Sequence, residues 1–224
     1  MLYAIPTPLG GPPDGALPGP AIEKICAVRH FVVENAKTAR AFLGTLGMPV
    51  RELSIAMIDE DRDLLAPLKA GHSIGLLSEA GCPAIADPGA ALVEAAHREG
   101  FRVVPLVGPS SIVLALMASG LEGQRFAFSG YLPREERDRS KRIRELEQRS
   151  RKERQTEIFI ETPYRSDVLL GALLRNCAPV TRLCVAADLT LATESIVSQA
   201  IVEWRRSRAV VGRRPAVFLL LATA

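Results

Sequence analysis

Two carboxylates stand within residues 78–89, a stretch that reads SEAGCPAIADPG. A short apolar run, residues 74–77, precedes it, and a helical pattern, residues 90–99, follows it. Ligands bind outside the carboxyl ends of strands in open α/β sheets, and Glu79 and Asp87 supply charge that a plain turn does not need. The stretch therefore indicates a ligand loop. The alternative is an ordinary strand–turn–helix connection in which Asp87 caps the helix.

The cysteines do not form a metal-binding pattern. They stand at positions 26, 82, 177 and 184, without a Cys-x2-Cys pair and away from the histidines. We therefore expect no metal site. Cys82 lies inside the ligand loop, where it is either a reactive thiol or, in the favoured interpretation, a packing residue.

Length and composition narrow the class of protein. The 224 residues suffice for one large domain or two small ones. No apolar run reaches the roughly 18 residues that a membrane helix needs, and the first ten residues have no basic segment before their apolar ones. We therefore expect a cytoplasmic protein that makes no use of a membrane.

Basic residues concentrate in one segment, residues 134–154, which holds ten Lys/Arg and six Asp/Glu. The segment carries 10 − 6 = +4, so the remainder of the +3 chain carries 3 − 4 = −1. Such a cluster can bind phosphates. The alternative is a solvated helix with pairs of opposite charge along its surface.

The elements that must position these residues alternate between strand and helix, which predicts an α/β fold with a mostly parallel sheet. We expect two small α/β domains, residues 1–120 and 121–224, with a ligand cleft between them. The predicted strands cover residues 2–5, 30–33, 73–77, 102–106, 125–129, 157–160, 183–187, 195–197 and 216–221. The predicted helices cover residues 21–28, 36–46, 61–70, 90–99, 110–119, 135–151, 166–176 and 199–206.

Seven short motifs occur in a fixed order along the chain. They are PTPLG at 6–10, EN at 34–35, SEAGCP with DPG at 78–89, VGPSS at 107–111, FSGYLP at 128–133, ETPYR at 161–165 and DLT at 188–190. Together they resemble the tetrapyrrole-methylase superfamily of S-adenosylmethionine-dependent methyltransferases. Within it, the sequence is most similar to the branch that methylates ribose 2′-oxygens of bacterial small-subunit ribosomal RNA. Several substrate motifs of that branch are altered here, since DLT at 188–190 lacks the flanking basic residues.

The resemblance implies a homodimer with S-adenosylmethionine in the cleft between the two domains. It also implies which residues contact that cofactor: Pro8, Ser78, Glu79, Ala80, Ile85, Asp87, Pro88, Ser110, Ser111, Ser129, Tyr131, Pro163, Ala187 and Pro215. Within this set, the carboxylates can accept hydrogen bonds from ribose hydroxyls or an ammonium group. The main chain at Gly81 and Gly89 can approach a ligand closely because no Cβ intervenes.

Methyl transfer to a hydroxyl also needs a group that removes the proton. The candidates are Glu34, Glu79, Tyr131, Asp188 and Glu161, and their rank depends on geometry. Two of these candidates also have ordinary structural alternatives. Glu161 can form an ion pair with Arg165, and Asp188 can cap a turn.

Three functions compete. The first is a methyltransferase acting on RNA, which the motif order and the basic segment favour. The second is a methyltransferase acting on a tetrapyrrole or another small molecule. The third is a catalytically silent protein that keeps the fold and binds the cofactor.

Overall fold

The computed structural model describes residues 1–207 and 209–223. The chain divides into two compact units, Met1–Ser110 and a second that begins at Ser111. Each unit has its own five-stranded sheet, in agreement with the α/β class expected from the sequence.

The sheet of the first unit is entirely parallel, in the order β3-β2-β4-β1-β5. Its strands are β1 (Leu2–Ile5), β2 (His30–Val33), β3 (Ser54–Met57), β4 (Ile74–Leu77) and β5 (Val103–Pro105). The helices are α1 (Gly19–Cys26), α2 (Ala36–Thr45), α3 (Ala66–Lys69) and α4 (Ala90–Arg98). Because all strands are parallel, every loop after a strand emerges at one edge of the sheet.

Both faces of this sheet are buried. On β2, Phe31 and Val33 join the cluster that contains Ile25 and Leu43 of α1 and α2. Val32 points the other way, into the cluster with Leu68 of α3. The near-continuous apolar strands are what a parallel sheet covered on two sides requires.

Two predictions differ from the structure in this unit. β3 was not predicted, although residues 55–58 are apolar, because the strand has only four residues, lies at the side of the sheet and begins at the exposed Ser54. The helix predicted over residues 61–70 was wrong in length, since only Ala66–Lys69 are helical.

The sheet of the second unit is mixed, in the order β6-β7-β10-β8-β9. Its strands are β6 (Phe126–Tyr131), β7 (Thr156–Glu161), β8 (Arg182–Ala187), β9 (Ser195–Ala200) and β10 (Ala216–Leu221). Its helices are α5 (Ser111–Ser119), α6 (Glu136–Glu153), α7 (Ser166–Asn176) and α8 (Ile201–Ser207). Only β6 and β7 run parallel, and the other neighbours are antiparallel.

The two units divide about ten residues before the boundary expected from the sequence. The sequence assigned α5 to the first domain, whereas α5 contacts β8, β9 and β10 of the second sheet. Its buried residues Ile112 and Ala115 are not part of the main core of the unit, which contains Leu146 of α6 and Leu169 of α7.

Candidate functional site

The carboxyl ends of three neighbouring strands are aligned in the first sheet. Ile5 of β1 pairs with Leu77 of β4, which also pairs with Val33 of β2. The next residues are Pro6, Ser78 and Glu34, so three of the sequence motifs begin side by side. This is the edge at which α/β sheets bind ligands.

The loop after β4 is tied to the loop after β1. Thr7 and Gly81 exchange two main-chain hydrogen bonds, each 2.9 Å long, and the Thr7 hydroxyl donates to the Ser78 carbonyl oxygen at 3.3 Å. The Ser78 hydroxyl is buried and donates to the Gly81 carbonyl oxygen at 2.9 Å. Ser78, a candidate cofactor contact, therefore uses its side chain to hold the turn.

Asp87 does not cap the following helix. The residue before α4 is Gly89, at φ +129°, and no side chain caps this end. The capping alternative is therefore wrong, and the half-buried Asp87 carboxylate remains free for another partner. A Cβ on Gly89 would stand 3.0 Å from Leu76 Cδ2, so glycine is needed here for packing as well as for its positive φ.

Two alanines of the same loop adopt left-handed main-chain conformations, Ala84 at φ +65° and Ala86 at φ +62°. Such angles cost about 1 kcal/mol each and persist only where the surrounding structure enforces them. Cys82 helps to do so, because its thiol donates to the Pro109 carbonyl oxygen at 3.4 Å. Burial raises the pKa of this thiol, which agrees with the packing interpretation.

Three carboxylates gather at this edge. Burial raises the pKa of Glu34, and repulsion from Asp87 and then Glu79 raises it further. Burial also raises the pKa of Asp87, with Glu79 again adding repulsion. Glu79 is exposed and accepts a hydrogen bond from the Thr38 hydroxyl at 3.2 Å. Within residues 1–207 and 209–223, no ion pair joins these carboxylates to a lysine or arginine.

A groove lies beside the same loops. It has a volume of about 710 Å³ and runs between the segment after β1 and helix α2. Thr7, Pro8 and Glu79 line it together with Phe42 and Leu46. It therefore combines an apolar wall with one of the three carboxylates.

The other candidates of the first unit differ in exposure. Ala80, Ile85 and Pro88 are exposed on the loop that carries the carboxylates, and Ser110 is half-buried at the end of the unit. Asn35, next to Glu34, caps α2 by accepting a hydrogen bond from the Lys37 main-chain N–H at 2.9 Å.

The second sheet brings its own candidates to one edge. Ala216, the first residue of β10, pairs with Glu161 at the end of β7 and with Ala187 at the end of β8. Pro163 and Pro215 are the neighbours of these residues in the chain. β6 ends at the same edge, since Tyr131 pairs with Ile160. Ser111 is the exception, because it begins α5.

The carboxylates of this second edge have arginine partners. Glu161 is buried and lies 3.1 Å from Arg165, which is the ion pair that the sequence left open as its structural alternative. Asp188 is buried at φ +52°, lies 3.9 Å from Arg214, and donates its main-chain N–H to the Pro215 carbonyl oxygen at 3.0 Å.

Ser129 and Tyr131 stand on an irregular part of β6, where the register with β7 shifts and Gly130 has φ +66°. Ser129 accepts a hydrogen bond from Arg149 of α6 at 3.1 Å. Arg149 in turn forms a two-pronged ion pair with Glu157, which is fully buried. Tyr131 is 58% exposed, whereas Ala187 is buried and has only its main chain left for a ligand.

Sequence reasoning missed the partners in these networks. Arg149 was counted only as one charge of the basic segment. The signal that could have indicated its role is Glu157 inside the apolar strand TEIFIE, since a carboxylate buried in a sheet needs a partner.

No helix in the described part of the chain is long and apolar enough to cross a membrane. No group of three or more His, Cys, Asp or Glu side chains is placed to hold a metal ion, residue 208 and the last residue not included.

The chain is similar to known proteins over almost its whole length. Residues 1–203 match the family Tetrapyrrole (Corrin/Porphyrin) Methylases. The "Ribosomal RNA small subunit methyltransferase I" of Vibrio cholerae is 32% identical over 206 residues, which cover 91% of this chain and 69% of that protein. The protein of the same name from Escherichia coli O157:H7 is 33% identical over 199 residues, 88% of this chain and 68% of that protein.

Solved structures share the fold. The methyltransferase CobJ superposes with a TM-score of 0.65 at 17% identity, over 100% of this chain and 95% of that one. The uroporphyrin-III-C-methyltransferase of Thermus thermophilus gives a TM-score of 0.59 at 19% identity, over 98% and 93%. At these identities the likeness concerns the fold alone.

Proposed function

This chain belongs to the tetrapyrrole methylase family and is a methyltransferase, and we propose that it takes the methyl group from S-adenosylmethionine and transfers it to RNA. The relatives at 32–33% identity are named for ribosomal RNA, which supports RNA as the acceptor. We also propose that the protein acts in the cytoplasm.

The observation that supports S-adenosylmethionine as the cofactor is the group of three carboxylates, Glu34, Glu79 and Asp87. Three carboxylates that repel one another cost free energy, and a cationic ligand removes that cost. S-adenosylmethionine carries a sulfonium and an ammonium group, so its charge fits this edge. Ala80, Ile85 and Pro88 lie on the same loop. They would then contact the ligand through apolar side-chain atoms and through the main chain.

Bound S-adenosylmethionine supplies an activated methyl carbon: its bond to sulfur breaks with the electron pair left on sulfur, while the acceptor oxygen forms the new bond. What remains for the protein is to align the acceptor with that carbon and to take up the hydroxyl proton. Among the candidate proton acceptors, Asp188 and Glu161 are held by arginines. Glu34 has a raised pKa, the direction that suits a general base near neutral pH, and we propose it for this role.

The residues at the edge of the second sheet, Ser129, Tyr131, Pro163, Ala187 and Pro215, are proposed to take part in binding the cofactor or the acceptor. The strand register brings them to the same edge of the second sheet, which supports treating them as one set.

We also propose that the protein is a homodimer. Helix α5 supports this, because Val113 and Met117 expose 49% and 76% of their surface on a helix composed almost entirely of apolar residues. Light scattering after gel filtration tests this, and a monomer at micromolar concentration would contradict it.

Titration calorimetry tests the cofactor. We expect S-adenosylmethionine to bind, and to bind more tightly than its demethylated product, which lacks the sulfonium charge. Absence of heat at millimolar ligand would contradict the proposal. Transfer of labelled methyl groups to extracted ribosomal RNA, but not to precursor corrinoids, then tests the acceptor; the opposite result would establish the small-molecule alternative.

A further inference from the structure

We propose that Tyr164 and Arg213 form a platform that stacks an unpaired base of the RNA acceptor while Arg213 contacts an adjacent phosphate. This inference rests on the proposed function, because it names the part of the RNA that the second unit recognises.

Tyr164 is unusually exposed for an aromatic residue. It lies in the short 3-10 turn Pro163–Arg165, directly after β7, and 79% of its surface is accessible. The guanidinium carbon of Arg213 stands 5.5 Å from the centre of its ring, within the range of a cation–π contact. With most of the side chain still exposed, the ring retains area that a base can cover.

The loop that carries Arg213 is anchored to the fold. Asp167 of α7 accepts hydrogen bonds from the main-chain N–H groups of Val211 and Gly212, at 2.7 and 3.1 Å. Val211 is buried in the core of the unit, and Gly212 provides the left-handed conformation at φ +72°. The Arg214 side chain also donates back to the Val211 carbonyl oxygen at 2.7 Å. The loop that carries Arg213 is therefore held in place before a ligand arrives.

Its position is the edge that gathers the candidate site residues. The loop leads through Pro215 into Ala216, which pairs with Glu161 and Ala187. Tyr164 stands next to Pro163 in the chain. An acceptor nucleotide held by the platform would therefore lie near the proposed binding residues of the second unit.

Two arginines of this edge already lie against carboxylates. Arg165 lies against Glu161 and Arg214 against Asp188. Arg213 is exposed and forms no ion pair with the residues that the structure describes. A guanidinium without a carboxylate partner is suited to a phosphate.

A tyrosine ring beside a free arginine fits one class of ligand. Sequence in RNA is read mostly at single-stranded loops and bulges, whose bases stack on aromatic rings and guanidinium planes. Base stacking and a neighbouring phosphate contact need only the two groups found here. The geometry therefore favours an unpaired nucleotide over an RNA duplex.

The test measures binding of a short single-stranded oligoribonucleotide to the full chain by fluorescence anisotropy. We expect Tyr164→Ala to weaken binding about tenfold, in the lower part of the range for a lost base stack. Tyr164→Phe should bind within about twofold of the parent, because it keeps the ring. Arg213→Gln should weaken binding and lower the slope of log K against log salt by about 0.7, one phosphate contact on a single strand.

Arg98→Gln, at an exposed arginine of the first unit, is the matched charge control. If Tyr164→Ala binds as well as Tyr164→Phe, or if Arg213→Gln behaves like Arg98→Gln, the platform is overturned while RNA remains the acceptor. If the parent binds S-adenosylmethionine but no RNA, the proposed acceptor fails and the platform fails with it.

Discussion

The edges of the two sheets carry carboxylates in different electrostatic settings. At the first edge, Glu34 and Asp87 are half-buried, their pKa values are raised by burial and then by repulsion within the group that includes Glu79, and none of the three has an ion pair within the described part of the chain. At the second edge, Glu161 and Asp188 are each held by an arginine. Unpaired carboxylates are costly unless a cation arrives, whereas paired ones mainly shape the structure. The difference supports the proposal that the first edge binds the cationic cofactor and the second edge the RNA acceptor.

The largest effect should come from breaking a paired carboxylate in the second unit. Arg149→Met leaves the buried Glu157 carboxylate without a cationic partner and with only the Gln155 amide as a side-chain donor, which should cost about 3 kcal/mol of unfolding free energy. Trp204, the only tryptophan, is buried in this unit, so its fluorescence in urea reports the unfolding. Adding Glu157→Leu should restore most of the loss, because an apolar pair avoids the buried charge. A single variant as stable as the parent would show that the pairing is not structural.

Removing an unpaired carboxylate from the first unit should weaken ligand binding without lowering the stability of the protein. Asp87→Asn should weaken the binding of S-adenosylmethionine about tenfold, the equivalent of 1.4 kcal/mol. It should leave the stability of the unliganded protein unchanged or higher, because repulsion with Glu79 is relieved. Calorimetry and thermal unfolding measure the two effects, with the exposed Asp61→Asn as control. Affinity equal to that of the parent would remove Asp87 from the site.

The pH dependence follows from the raised pKa values of Glu34 and Asp87. On acidification the folded protein takes up these protons before the unfolded chain does. The cost of burying the two charges disappears, together with their repulsion, so stability increases as pH falls through the raised values. The protonated groups no longer attract a cation, so affinity for S-adenosylmethionine should fall severalfold over the same range. The double variant Glu34→Gln/Asp87→Asn should flatten both curves. Affinity independent of pH in the parent would contradict the assignment.

The smallest of the predicted effects should come from replacing a basic residue on helix α6. Several of its cations are already engaged: Arg139 is buried against the carbonyl oxygen of Arg134, and Arg144 donates to Asn176. Arg142 is paired only with Glu145 on the helix surface, at 3.4 Å. Arg142→Ala should weaken RNA binding about twofold, as expected for one surface charge, and should not alter S-adenosylmethionine binding. A loss of cofactor affinity would contradict this separation.

The elements with strong local signals could be predicted from the sequence. The strands Leu2–Ile5 and His30–Val33 and the helix Ser166–Asn176 have the bounds that the sequence indicated, because apolar runs and turn residues mark their ends. The loop of Glu79 and Asp87 was identified for the same reason. That Glu34 would join them depends on the register of β2 with β4, which no local pattern encodes.

What could not be predicted depends on contacts between distant residues. Asp87 suits a helix cap by residue type, but Gly89 occupies the cap position before α4 instead. The pairing of Arg149 with Glu157 and of Arg213 with Tyr164 requires the packed second unit. A charged side chain can also remain exposed to solvent, so the sequence alone does not identify its partner. The partner is determined by the tertiary structure.

A crystal structure of this chain with S-adenosylmethionine is the most direct measurement. We expect the ligand at the carboxyl edge of the first sheet, with its cationic groups within hydrogen-bond or ion-pair distance of Glu79 or Asp87. A ligand bound away from residues 78–89, with the three carboxylates still unpaired, would contradict the proposed site.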